Sequence, residues 1–90
     1  MEDTIKILIV DDHQMFIDGV KSLLRKEKKY QFVAEAQSGK EALEKLDPQN
    51  IDLVITDISM PEISGIELTK IIKGKYPHIK VLVVSMHNDK

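Results

Sequence analysis

Ninety residues suffice for one domain, which buries only about 60–65% of the surface its unfolded chain exposes, so its stability margin is thin. With 42% hydrophobic and 31% charged residues and no Trp, the composition is that of a globular domain rather than a disordered chain, and without Cys it has neither a disulfide frame nor thiolate chemistry. A net charge of -2 supplies no global basic field for gripping nucleic acid, and no apolar run reaches bilayer-spanning length; with the acidic opening Met1-Glu2-Asp3-Thr4, the expectation is a cytoplasmic protein, neither exported nor membrane-bound.

In chain order, Ile5 to Val10 is an almost unbroken aliphatic run, as expected of a strand covered on both faces, and it ends in Asp11-Asp12. Phe16, Val20, Leu23 and Leu24 recur at helical spacing and predict a helix from His13 to Glu27. Its end carries Lys21, Arg25, Lys26, Lys28 and Lys29, read as solvated cations that favour the helix dipole rather than as a phosphate-binding patch. Gln31 to Ala36 alternates as a short second strand. Ser38-Gly39-Lys40-Glu41 matches a capping box for a helix through Leu46, which Asp47-Pro48 ends. Leu53 to Thr56 or Asp57 is the third strand, again ending in acid. After Pro61 a third helix spans Ser64 to Lys75, with Ile66, Leu68, Ile71 and Ile72 as its apolar positions. Ile79 and Val81 to Val84 form a fourth strand that delivers Ser85. Alternating strands and helices imply a parallel sheet with crossover helices.

An ionised carboxylate beside an apolar core is costly unless paired, hydrogen-bonded or coordinated. Asp11, Asp12 and Asp57 all follow strands, and reactive groups in open parallel sheets gather beyond the strands' carboxyl ends. If the first and third strands are neighbours, the acids share one crevice, and two such charges about 4 Å apart repel by roughly 4 kcal/mol at an effective dielectric near 20. A divalent cation removes that penalty, and an oxygen-only ligand set suits Mg²⁺ better than Zn²⁺. An Asp beside Mg²⁺ can also be a nucleophile toward phosphorus, with Ser85 donating a hydrogen bond to a phosphoryl oxygen. Taken singly, each acid is equally a turn or cap former, and Asp12 is a candidate cap for the first helix. His13, His78 and His87 lack metal-ligand spacing and read as surface or loop residues, Met15 and Met60 as packing residues, and Gly39 and Gly65 as helix-start features.

The segments ILIVDDHQMF, DLVITDISMPEISGIEL and KVLVVSMH resemble, in order and spacing, the receiver domain of bacterial two-component response regulators. The resemblance covers Ile5 to Ser85, and the DDH and SMH segments look most like the NarL or LuxR branch, whose full-length members carry a helix-turn-helix DNA-binding domain. It implies a flavodoxin-like, doubly wound parallel sheet, here four strands in the order 2-1-3-4 with three helices. It implies that Asp57 accepts phosphate from a sensor histidine kinase. It implies Mg²⁺ held by Asp12 directly, by Asp11 through water, by Asp57 and by the Ser59 backbone carbonyl, with Ser85 as the hydroxyl that senses the phosphoryl group. Such a protein is a switch, not a turnover enzyme. Ile17 stands where many members carry a basic residue, so that residue's contacts are absent.

The family continues past Ser85 with a helix, a strand ending in an essential lysine, and a helix. The expectation is therefore that residues 1–90 are the N-terminal part of a receiver domain, that Lys90 does not play the lysine's role, and that DNA contact belongs to a C-terminal domain. The fourth strand becomes a sheet edge, which predicts a homodimer through Val81, Leu82, Val83 and Val84. Two other readings stand beside the switch. One is an interaction module without productive phosphotransfer. The other is a hydrolase of the haloacid dehalogenase type, which wants a second Asp where Ser59 stands.

Overall fold

Side chains alternate along a strand, so a strand with a run of consecutive apolar residues needs cover on both faces. Strand β1 (Ile5–Val10) has it: Ile7, Leu8, Ile9 and Val10 are all fully buried. Leu8 and Val10 enter one apolar cluster with Ala42, Leu68 and Ile72, while Ile7 and Ile9 enter a second with Ile17. These clusters are the two faces of a sheet in this computed structural model, which describes residues 4–84. Ser85, His87 and Lys90 lie outside the described residues.

The remaining elements follow in order: α1 (Gln14–Leu24), β2 (Tyr30–Ala36), α2 (Gly39–Lys45), β3 (Leu53–Asp57), α3 (Gly65–Lys75) and β4 (Lys80–Val84). All strand pairings are parallel, in the order β2-β1-β3-β4. Helix α1 covers one face, and α2 and α3 cover the other, which is the doubly wound arrangement expected from the resemblance. The register of β1 on β2 shifts between Ile7 and Leu8, so that Val33 is passed over while Val10 still faces Ala36. Among the described residues, no helix is long and apolar enough to cross a membrane.

Helix α1 is shorter than expected at both ends, and its buried stripe differs. Ile17 is its one fully buried side chain; Phe16, Val20 and Leu24 are half-buried, and Leu23 is 79% exposed. Met15, expected to pack, is 87% exposed, whereas Met60 does pack against the larger cluster. In α3, Leu68 and Ile72 are buried but Ile66 faces outward. Strand β4 is the outermost strand of the described sheet, with Val81, Val83 and Val84 half-buried and Leu82 half-exposed.

The helix caps also depart from expectation. Ser38 Oγ accepts from Glu41 N at 3.0 Å, but the Glu41 carboxylate reaches back to Gln37 N, at 2.8 Å, rather than to Ser38. That bond and the neighbouring Lys45 ammonium hold the Glu41 carboxyl below its usual range. The reciprocal capping box stands at α3 instead: Glu67 N donates to Ser64 Oγ and Ser64 N to Glu67 Oε1, each at 3.1 Å.

Candidate functional site

Parallel pairing places Val10 opposite Thr56, so the next residues, Asp11 and Asp57, emerge side by side at the carboxyl ends of β1 and β3. Asp11 is fully buried and Asp57 is 5% exposed. Asp11 N donates to Ala36 O at 3.0 Å, which ties the end of β1 to β2. Its Oδ1 accepts from His13 N at 2.8 Å and lies 3.0 Å from His13 Nδ1. Its Oδ2 is buried without a hydrogen-bond partner among the described residues. Asp12 turns outward, with Oδ1 also 3.0 Å from His13 Nδ1. Asp57 Oδ1 accepts from Ile58 N at 2.8 Å.

The arrangement brings together what the sequence placed apart, and adds a residue. Asp11, Asp12, His13 and Asp57 each offer one ligand atom, and these atoms lie within 4.8 Å of one another. His13, read from sequence as a bland loop residue, is part of the cluster. It is also the N-cap of α1, without a side-chain cap bond, so Asp12 does not cap the helix. His78 does lie at the surface, with Nε2 3.1 Å from Pro48 O. Ser59 is exposed in the loop two residues beyond Asp57.

Burial pushes the Asp11 carboxyl above its ordinary range, the nearby Asp57 charge adds to this, and the bonds from His13 only partly oppose it. The hydrogen bond to Asp11 and the Asp12 charge pull the His13 imidazole upward. Both groups thus favour a bound proton, as expected where negative charge is crowded. A buried carboxylate oxygen without a donor among the described residues, beside two more carboxylates, fits a hard divalent cation.

The loop from β3 to α3 frames the site closely. Gly65, the first residue of α3, donates from N to Ile58 O at 2.9 Å. A Cβ on Gly65 would lie 2.1 Å from Asp57 O, so glycine is required there for space and not for an unusual φ. Thr56, fully buried, donates from Oγ1 to Asp57 O at 3.1 Å. Glu62 takes the left-handed region, φ 68°. The sequence reading passed over the Ser64–Glu67 box and the role of Ile17. The first was available as an S-x-x-E pattern before an apolar run.

Comparison with known proteins places this geometry among relatives. The response regulator receiver domain family matches residues 7–90. The transcriptional regulatory protein DegU of Brevibacillus brevis is 42% identical over 88 residues, which are 98% of this chain and 37% of that protein. A structure of the Salmonella typhimurium response regulator RcsB, described in terms of conformational dynamism for DNA interaction, superposes with a TM-score of 0.86 at 29% identity, covering 99% of this chain and 46% of that one. The isolated receiver domain of RcsB from Salmonella enterica serovar Typhimurium, solved with the phosphomimetic BeF3⁻, gives a TM-score of 0.86 at 28% identity over 96% of this chain and 64% of that one. The chain thus spans well under half the length of that relative, DegU.

Proposed function

The chain belongs to the response regulator receiver domain family, and from that premise we propose that it is a phosphoacceptor switch in which Asp57 takes phosphate from a histidine-kinase phosphohistidine. The observation that carries the reading is the convergence of Asp11, Asp12 and Asp57 around a buried Asp11 Oδ2 that has no partner among the described residues. Asp11, Asp12, Asp57 and the Ser59 backbone carbonyl would hold Mg²⁺, which when bound neutralises charge on the transferring phosphoryl oxygens.

The chain's own residues supply the rest. Ile58 N–H holds Asp57 Oδ1, which fixes the carboxylate and leaves Oδ2 as the attacking oxygen. An Oδ2–P bond forms as the P–N bond of phosphohistidine breaks, and the electron pair goes to the departing imidazole nitrogen. The new group adds charge and acceptor oxygens beside the β3–α3 loop; the role of hydroxyl sensor for Ser85, which lies outside the described residues, rests on the family resemblance alone. The product is a changed conformation rather than a released metabolite. That the RcsB receiver was solved with a phosphomimetic supports this reading.

The whole protein is proposed to be a DNA-binding transcriptional regulator of the cytoplasm.

Incubation with acetyl phosphate, with and without Mg²⁺, followed by intact mass measurement, tests the phosphoacceptor reading. The expected result is one Mg²⁺-dependent phosphoryl adduct on the wild type and none on Asp57→Asn. An equal adduct on Asp57→Asn would overturn it.

A further inference from the structure

The phosphoacceptor reading leaves one member of the cluster idle. His13 sits between β1 and α1 as the N-cap residue, yet its ring makes no bond to the helix, and its side chain is 71% exposed. The ring turns instead toward the acids, with Nδ1 3.0 Å from Asp11 Oδ1 and 3.0 Å from Asp12 Oδ1. Opposite ligands of a six-coordinate ion with bonds of about 2.1 Å lie roughly 4.2 Å apart. The four ligand atoms, within 4.8 Å of one another, need only a small contraction to meet that span. The fully buried Asp11 Oδ2, which no donor among the described residues satisfies, is an independent sign of a cation at this place.

We infer that His13 contributes an imidazole nitrogen to the carboxylate cluster and so biases it toward borderline first-row divalent ions, such as Ni²⁺, relative to Mg²⁺. The inference rests on the reading of Asp11, Asp12 and Asp57 as a divalent-ion site and assigns to His13 the choice among ions. The chemistry is that of ligand preference. Carboxylate, carbonyl and water suit Mg²⁺, whereas imidazole suits Ni²⁺, Cu²⁺ and Zn²⁺. A neutral ring has one lone pair to offer, and Nδ1 is already the atom between two carboxylates. Because the ring has no cap bond to break, replacing it removes a ligand without removing a support of α1.

The test is calorimetric titration of wild type, His13→Ala and His13→Gln with Mg²⁺ and with Ni²⁺, at a pH where imidazole is neutral. Pulsed electron paramagnetic resonance of the Mn²⁺-loaded proteins gives a second readout. The expected result is that the ratio of Ni²⁺ to Mg²⁺ affinity falls about tenfold or more in both variants, the scale on which even supporting residues of metal sites act. Nitrogen-14 modulation of the Mn²⁺ echo in wild type should vanish in both. If wild type binds both ions but the ratio is unchanged by either substitution, this inference is overturned while the carboxylate site stands. If wild type binds neither ion, both fall. The calorimetric and resonance readouts require no phosphoryl transfer, so a failure of phosphorylation at Asp57 is read separately.

Discussion

Replacing Gly65 by Ala places a methyl group against the backbone of the phosphoacceptor residue itself. The added Cβ would lie 2.1 Å from Asp57 O, and 3.0 Å from both Asp57 C and Ile58 Cα. Since unstrained carbon–oxygen contacts begin near about 3.3 Å, the helix start or the strand end must retreat by roughly 1 Å. Neither is free to do so. Gly65 N is bonded to Ile58 O, the Ser64–Glu67 box holds the first turn, and Leu68 one turn on is fully buried in the core. Overpacking of this kind costs about 1–3 kcal/mol, against a total stability of roughly 5–15 kcal/mol for a small domain.

The same helix supplies the control. Gly74 lies in α3 with nothing within 4 Å of an added Cβ, so Gly74→Ala should stabilise by about 0.5–1 kcal/mol through propensity alone. The two substitutions are chemically identical and should have opposite signs. Urea unfolding followed by circular dichroism measures both. With a slope of about 1–3 kcal/mol per molar, the two midpoints should separate by on the order of 1 M. Acetyl phosphate labelling of Gly65→Ala, below its unfolding transition, should also be slowed because Asp57 has moved. Coincident midpoints for the two variants would refute the claim that Gly65 is dictated by closeness to Asp57.

Three further outcomes are expected. Ser64→Ala should lose about 1 kcal/mol in urea melts and Ser38→Ala less, because only Ser64 is part of a reciprocal box; the reverse order would contradict the assignment. Glu62→Gly should raise thermal stability by about 0.5–1 kcal/mol, since a left-handed φ costs a non-glycine residue more than the entropy that glycine adds, and a lower melting temperature would refute this. The hydrogen bond from Lys21, aided by Gln14, holds the Glu35 carboxyl below its usual range, so its stabilisation is present above the ordinary carboxylate pKa and is lost as pH falls through the depressed one. The melting temperature of wild type should therefore exceed that of Glu35→Gln by a small margin near neutrality, worth at most about 1 kcal/mol for so exposed a pair, and the margin should close in acid. A margin independent of pH would show that the ion pair is not its source.

What could be read from the sequence was whatever depends on alternation and composition along a short window. The apolar run of β1, broken only by Lys6, announced a strand buried on both faces, and its limits, Ile5 and Val10, are those observed. Helix α1 was less legible because its apolar residues outnumber the places in the core. Leu23 fits the helical period as well as Val20 does, yet Val20 packs near Ile17 while Leu23 stays exposed. The period marks a helix, but how far round the helix the core reaches is set by the sheet beneath it. Caps showed a similar limit: Ser38 and Glu41 had the right spacing, and the carboxylate still found Gln37 N first.

The acids were legible for a different reason. Each ends a buried strand, where a charge conflicts with its surroundings, and such conflicts are where local rules yield to function. Their convergence depended on one unproved step, that β1 and β3 are neighbours, which the pairing of Val10 with Thr56 satisfies. His13 was illegible because metal-ligand spacing is sought along the chain, whereas its approach to Asp11 comes from a turn: Asp11 Oδ1 accepts from His13 N and holds the ring beside the same carboxylate. Gly65 was hidden in another way. A glycine at a helix start is ordinary, and only the fold shows that the position opposite it is the backbone of Asp57. The residues that sequence reasoning reached are those whose own chemistry is out of place. Those it missed are ordinary in themselves and become significant only through what the sheet brings within 3 Å of them.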